Sequence, residues 1–341
     1  MNFESIRVAA RDRITPGAWD YYQGVADDRP DADTDHDAWD RIRLVPRVLH
    51  GLESVDTSAT LGVDTVSTPI MVSATAAHGL AHPDAEVATA AGAAAAGALM
   101  VYSSSAAVEV TEFGAATKGP WWAQVYIMED RAATQDYLRR VVEARPSAVV
   151  LTVDHMGAPA EAPFRSPTSP LPARPGNFPG LSWREMSLGI EPGLVPDDIA
   201  WIADATGLPV YVKGVLHPDD AVLAVDSGAA GIVVSNHGRR QVAGVVPTAE
   251  MLPEVVAAVA GAVPVLVDGG IRSGVDVLRA IAIGATAVGV GRPVLWGLAA
   301  SGTAGVSSVL DGLTAELRQA MAAVGAASLS KLLPSTVRLP R

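Results

Sequence analysis

The sequence predicts an α/β fold of the (β/α)8 TIM-barrel type, and three observations carry that reading. Eight short runs rich in Val, Ile, Leu and Ala recur at 69–74, 98–103, 121–127, 148–154, 209–214, 231–236, 263–269 and 285–291. Runs that are apolar on both faces suit a parallel sheet covered by helices. Helical stretches separate the runs, and polar side chains and glycines gather where the runs end. Eight is the barrel number, although a doubly wound open sheet uses the same repeat and spacing alone does not show closure.

Taken in order, residues 1–68 form a prelude to the barrel, with a helical stretch at 3–20. Helices are expected at 84–97 and 130–144, each opening on an acidic residue that suits the positive end of the helix dipole, and a long one at 305–324. Residues 87–108 are uncharged but mostly Ala, Gly, Ser and Thr, which reads as a packed helix entering a buried strand rather than a membrane span. The connection at 155–208 is the longest, and its 158–180 portion holds seven prolines, which exclude helix and paired strand. On barrel geometry it is a lid on the C-terminal face; an insertion without function is the alternative.

The whole chain, 1–341, reads as one domain. With 49% apolar and 18% charged residues it has ample material for a core. Its 25 basic against 37 acidic residues, a net charge of -12, disfavour nucleic acid and anionic membrane as partners. Without cysteine there are no disulfides or thiolate metal sites, and no metal is expected; the charged first 22 residues do not read as a signal peptide, so the expected location is the cytoplasm.

Strand ends on one face of a barrel hold its working groups. Lys213, one of three lysines, ends the apolar run Val210-Tyr211-Val212, where an ammonium answers an anion, forms a Schiff base, or pairs with a neighbouring carboxylate. His237 and Arg240 follow the sixth run, as a general base beside a carboxylate clamp would, or as ordinary loop residues. The seventh and eighth runs end in Asp268-Gly269-Gly270-Ile271-Arg272-Ser273-Gly274 and Gly289-Val290-Gly291-Arg292-Pro293, two consecutive glycine and arginine loops where barrels bind phosphate. Gln124 with Tyr126, and Thr152 with Asp154, alternate along earlier strands and so share a side in each pair. Asp154 either orients His237 or caps a turn.

These motifs, with Ser235-Asn236-His237-Gly238, Arg240-Gln241, Lys213-Gly214 and Asp20-Tyr21-Tyr22, resemble the FMN-dependent 2-hydroxy-acid oxidase and dehydrogenase family, which includes glycolate and lactate oxidases and mandelate dehydrogenases. The resemblance runs in order along nearly the whole chain. It implies FMN as cofactor, with Ala74, Thr75, Ala76, Ser103, Gln124, Thr152 and Lys213 at the flavin and Asp268, Gly270, Arg272, Gly291 and Arg292 at the ribityl chain and phosphate. It implies His237 as catalytic base, Asp154 as its partner, Lys213 as counter-charge to the reduced ring, and Tyr21, Tyr126 and Arg240 as substrate-binding groups, with Tyr126 also in the catalytic set. It further implies a small-molecule substrate, oxygen or another electron acceptor, and a homotetramer.

The chain also departs from the family pattern. The Gly-x-Arg that usually follows Thr-Val-Asp is missing from His155-Met156-Gly157-Ala158-Pro159, Arg239 replaces a Gly or Ala, and Ser105 replaces a bulky pocket residue. The implied substrate is a larger, aromatic 2-hydroxy acid of the mandelate kind, with Arg165 or Arg174 on the lid as candidate replacements for the lost arginine. Other readings are an FMN oxidase of an amine or modified amino acid in secondary metabolism, or a flavin-free aldolase using Lys213. A type 2 isopentenyl-diphosphate isomerase is opposed by the His237 and Arg240 pair.

Overall fold

The computed structural model describes residues 3–26, 34–155 and 175–340. The expected helix at 3–20 is two: α1 Phe3–Arg11 and α2 Pro16–Gln23. Pro16 lacks the N–H an unbroken helix would use, whereas Thr15 caps a fresh start by accepting from the Ala18 N–H. α3, Thr34–Arg41, follows, and an antiparallel hairpin pairs Ala59–Leu61 with Asp64–Val66.

The eight apolar runs become β1 Ile70–Val72, β2 Met100–Tyr102, β3 Trp121–Val125, β4 Val149–Thr152, β5 Val210–Val215, β6 Gly231–Val234, β7 Val265–Asp268 and β8 Ala287–Val290. They form a closed parallel barrel in sequence order, sealed by β8 on β1 through Val288↔Ile70, Gly289↔Met71 and Val290↔Val72. Closure removes the open-sheet alternative. Each strand lies within its expected run, except that β5 continues one residue further, across a bulge between Lys213 and Val215.

The helices that cover the barrel are α4 Ala85–Ala95, α5 Val110–Ala116, α6 Arg131–Ala144, α7 Trp183–Leu188, α8 Asp197–Thr206, α9 Pro218–Asp226, α10 Thr248–Val259, α11 Gly274–Ile283 and α12 Arg292–Val324. The uncharged stretch is α4 running into β2, as expected. The helix expected at 305–324 is the second part of α12, which kinks where Ser301 and Gly302 leave helical geometry. By length and hydropathy α12 could cross a bilayer, yet 67% of its apolar window is buried within the protein, so the core accounts for its composition.

Side chains alternate along each strand, and the inward positions fall in layers. Met71, Val101, Trp122, Val150, Tyr211, Val233, Leu266 and Ala287 make an apolar floor, sealed from below by Leu61 and Val66 of the hairpin. Trp122 stacks on Tyr211 with ring centroids 4.2 Å apart and donates its indole N–H to Asp64. Two residues onward on the same strands stand Ser73, Ser103, Gln124, Thr152, Lys213, Ser235, Asp268 and Gly289. The barrel interior therefore changes from apolar to polar at one level, around its whole circumference.

Candidate active site

A cavity above the polar layer is lined by Ala74, Thr75 and Ala76 after β1, Ser103 after β2, and Gln124 and Tyr126 on and after β3. Thr152, Lys213, His237 and Arg240 join it from the next three strands and their loops, Asp268, Gly270, Arg272, Gly291 and Arg292 from the last two, and Tyr21 from α2. Asp154 is the one expected residue outside the lining; it stands behind His237. Arg165 and Arg174 lie outside the described residues, as does most of the expected lid. Its final residues, 175–180, are held in place: Asn177 is buried, donates to the Tyr102 hydroxyl and the Ser104 carbonyl, and accepts from the Val110 N–H.

Lys213 donates to Ser235 Oγ at 2.7 Å and lies 3.4 Å from Asp268 Oδ2. Burial works against the ammonium, but Asp268 and then Asp154 outweigh it and raise its pKa above the ordinary lysine value. The bulge that follows Lys213 depends on Gly214, whose φ is +106° and where a Cβ would lie 2.5 Å from the Asp154 side chain. Glycine there lets the β4 carboxylate come close to the β5 lysine.

His237 Nδ1 meets Asp154 Oδ1 at 2.9 Å. Burial opposes ionisation of Asp154, yet the His237 ring and its hydrogen bond, with Lys213 behind them, hold the carboxyl below its ordinary range. An ionised Asp154 accepts from Nδ1, which leaves Nε2 as the ring nitrogen turned to the cavity. Nε2 faces the Tyr126 hydroxyl at 3.2 Å, and burial, reinforced by Asp154, pushes the Tyr126 pKa well up so that this phenol donates. The His237 N–H donates to Ser235 Oγ, so one serine touches both the lysine and the base's backbone.

Arg240 donates to the carbonyls of Tyr21 and Gly24 at 2.7 and 2.9 Å and stacks over the Tyr21 ring, which fixes one edge of the cavity. At the opposite end Gly270 has φ +74°, and a Cβ there would lie 2.5 Å from the Asp35 backbone. Arg272 packs over Trp296, and Arg292 donates to the carbonyls of Tyr22, Gly24 and Gly238.

These residues fit FMN. Asp268 Oδ1 is buried with no hydrogen-bond partner, an acceptor suited to a ribityl hydroxyl. Two glycine loops and two arginines supply the donors a phosphate needs. Lys213 would supply positive charge for a ring that becomes anionic on reduction.

Sequence reasoning missed part of the lining. Ser73 and Ser235 carried a signal, because they fall at the inward positions set by the strand alternation. His155, Trp183, Met186, Ser187 and Ile190 also line the cavity, brought there by the long β4-to-β5 connection, which has no periodic pattern to place it.

Comparison with known proteins agrees with this architecture. The family model described as FMN-dependent dehydrogenase matches residues 10–339. The chain is 40% identical to glycolate oxidase 1 of Zea mays, with 97% of this chain and 94% of that protein aligned. It is 39% identical to 2-hydroxyacid oxidase 1 of Mus musculus, covering 96% and 94%. Among solved structures, a Pediococcus acidilactici protein designated a lactate oxidase superposes with a TM-score of 0.94 at 33% identity, covering 100% of this chain and 95% of that one. A mandelate oxidase superposes at 0.88 with 35% identity, covering 98% and 97%. The chain accordingly belongs to the FMN-dependent dehydrogenase family, as an oxidoreductase that acts on the CH–OH group of 2-hydroxy acids.

Proposed function

We propose that this protein oxidises an aromatic or otherwise extended 2-hydroxy acid to the 2-oxo acid, with His237 as the base. The observation that carries this reading is the His237–Asp154 pair, whose Nε2 meets the Tyr126 hydroxyl at the cavity that Lys213 also lines. FMN, when bound, supplies the two-electron acceptor. His237 Nε2 takes the proton of the substrate hydroxyl, and Asp154 holds the ring in the required tautomer and stabilises the imidazolium that results. Tyr126 donates toward the same oxygen, Arg240 and Tyr21 hold the carboxylate, and Lys213 balances negative charge that develops in the site.

The lining supports a large substituent. Ser105 leaves space, while Trp183, Met186 and Ile190 give an apolar wall. His155 packs edge-on to Tyr126 with centroids 5.1 Å apart, and burial, then His237, lower its pKa to about 4, so this ring stays neutral near pH 7. A neutral imidazole does not replace a carboxylate-binding arginine. Losing that contact should weaken carboxylate binding by roughly 10- to 150-fold, the worth of one charged hydrogen bond, so glycolate and lactate, with little else to bind, should be poor substrates beside mandelate. The test is anaerobic mixing with glycolate, lactate, mandelate and the corresponding amines, following the flavin band near roughly 450 nm. Bleaching by amines alone would overturn the hydroxy-acid reading. Efficient glycolate turnover that survives both Arg165→Ala and Arg174→Ala would overturn the large-substrate reading, and turnover lost with either would assign the clamp to the lid.

Arg272→Ala should weaken FMN retention, also by roughly 10- to 150-fold in Kd, since one charge-assisted phosphate contact is lost. Titrating apoprotein with FMN checks this; an unchanged Kd would remove Arg272 from the phosphate site. We further propose, on the family resemblance, a homotetramer, for which light scattering of the pure protein gives the assembly size.

A further inference from the structure

The turn that carries the base is fastened to the end of α2, and one of the fastenings belongs to a residue that the reaction outlined above does not use. His237, Gly238 and Arg239 all have left-handed backbone, a conformation that persists where surrounding contacts hold it. The Ala26 N–H donates to the Arg239 carbonyl at 2.7 Å. Arg240, the next residue, donates from Nη1 to the carbonyls of Tyr21 and Gly24. Arg292, at the start of α12, spans both sides. Its Nη2 donates to the Gly238 carbonyl at 2.9 Å and to the Gly24 carbonyl at 3.2 Å, and its Nε donates to the Tyr22 carbonyl at 3.0 Å.

The Gly24 carbonyl thus accepts from two arginines. Gly24 caps the C-terminal end of α2, where carbonyls have no partner within the helix and the helix dipole is negative, so guanidinium groups are favoured there on both counts. A planar guanidinium that bridges Tyr22, Gly24 and Gly238 fixes the spacing between α2 and the base turn. Arg240 and Tyr21 flank that bridge, one on each side of it. The family resemblance places Arg292 at the phosphate, and these three donations give its side chain a second duty at the substrate end.

We propose that Arg292 is a positioning residue that holds the base turn against α2 and thereby sets Arg240 and Tyr21 as a carboxylate clamp. The proposal rests on the reading of Arg240 as that clamp. Arg292 acts through the carbonyls it ties together and through the Gly24 acceptor that it shares with Arg240.

The experiment titrates phenylacetate, a carboxylate without the oxidisable hydroxyl, into FMN-saturated oxidised protein and reads its Kd from the perturbation of the flavin band. Arg240→Ala should weaken binding by roughly 10- to 150-fold, the loss of one charged hydrogen bond. Arg292→Met keeps an unbranched stem, removes every donor, and should weaken binding by roughly 2- to 30-fold, the size of a coupling carried by a hydrogen-bonded network. Arg292→Lys should recover part of that loss. The Arg240→Ala and Arg292→Met losses should not add in the double variant, because Arg292 acts through Arg240. Gly238→Ala keeps both arginines but sets a methyl 3.1 Å from Arg292 Nη1, and it should weaken binding in the same direction. Unchanged affinity in FMN-loaded Arg292→Met, or full additivity with Arg240→Ala, would overturn the role of Arg292; if Arg292→Met does not load FMN, unchanged affinity in Gly238→Ala would overturn it in the same way. Unchanged affinity in Arg240→Ala would instead remove the clamp on which the proposal rests.

Discussion

His237→Ala should slow flavin reduction by roughly 10²- to 10⁴-fold while FMN remains bound, the usual size of general-base catalysis. His237 meets Asp154 through Nδ1 and Tyr126 through Nε2, whereas the phosphate end of the cavity is built from other loops. Alanine at this position meets the same backbone demand as histidine, since φ is +57° in either case, so the loss should be chemical rather than conformational. Stopped-flow reduction under anaerobic conditions reads the rate, and the visible spectrum reads the flavin content. More than about a tenth of the wild-type rate would contradict the base assignment.

Lys213→Met should act on both stability and redox poise. Removing one partner of a buried ion pair typically costs about 3–5 kcal/mol, because the remaining charge is left without compensation. Here Asp268 would lose the ammonium 3.4 Å away, and Ser235 would lose its donor. Lys213 has its pKa raised, so its contribution is fully present below the ordinary lysine value of 10.5 and is lost as pH climbs through the raised value. The stability difference between wild type and variant in denaturant titrations should thus be large near pH 7 and shrink above about pH 10.5. In the loaded protein the flavin potential should fall as reduction loses its counter-charge. A potential equal to wild type would make Lys213 a purely structural partner of Asp268.

The barrel was legible because each buried strand had to be written in apolar residues, and eight such runs survive any error at their ends. The polar layer was half legible. Gln124, Thr152, Lys213 and Asp268 stand out from apolar surroundings, whereas Ser73, Ser235 and Gly289 are small and carry meaning only once strand alternation places them beside the others. The break before Pro16 is written in Thr15-Pro16, a cap followed by a residue without an N–H. What stayed out of reach depends on contacts between residues far apart in sequence. Nothing local to His155, Trp183 or Met186 says that they share a wall, and nothing in Arg292 says that it binds carbonyls of Tyr22, Gly24 and Gly238.

The loop that carries the base has three successive residues with left-handed backbone, His237, Gly238 and Arg239, at φ +57°, +63° and +63°. A non-glycine residue in that conformation costs about 1–2 kcal/mol, asparagine less. Glycine or asparagine at 237 would relax the turn and remove the base. Drift in a duplicated gene with no substrate to turn over therefore has a downhill path from an active enzyme to a more stable, inert flavoprotein. The return path climbs, so within this lineage loss of the histidine is the easier change and its recovery the rarer one.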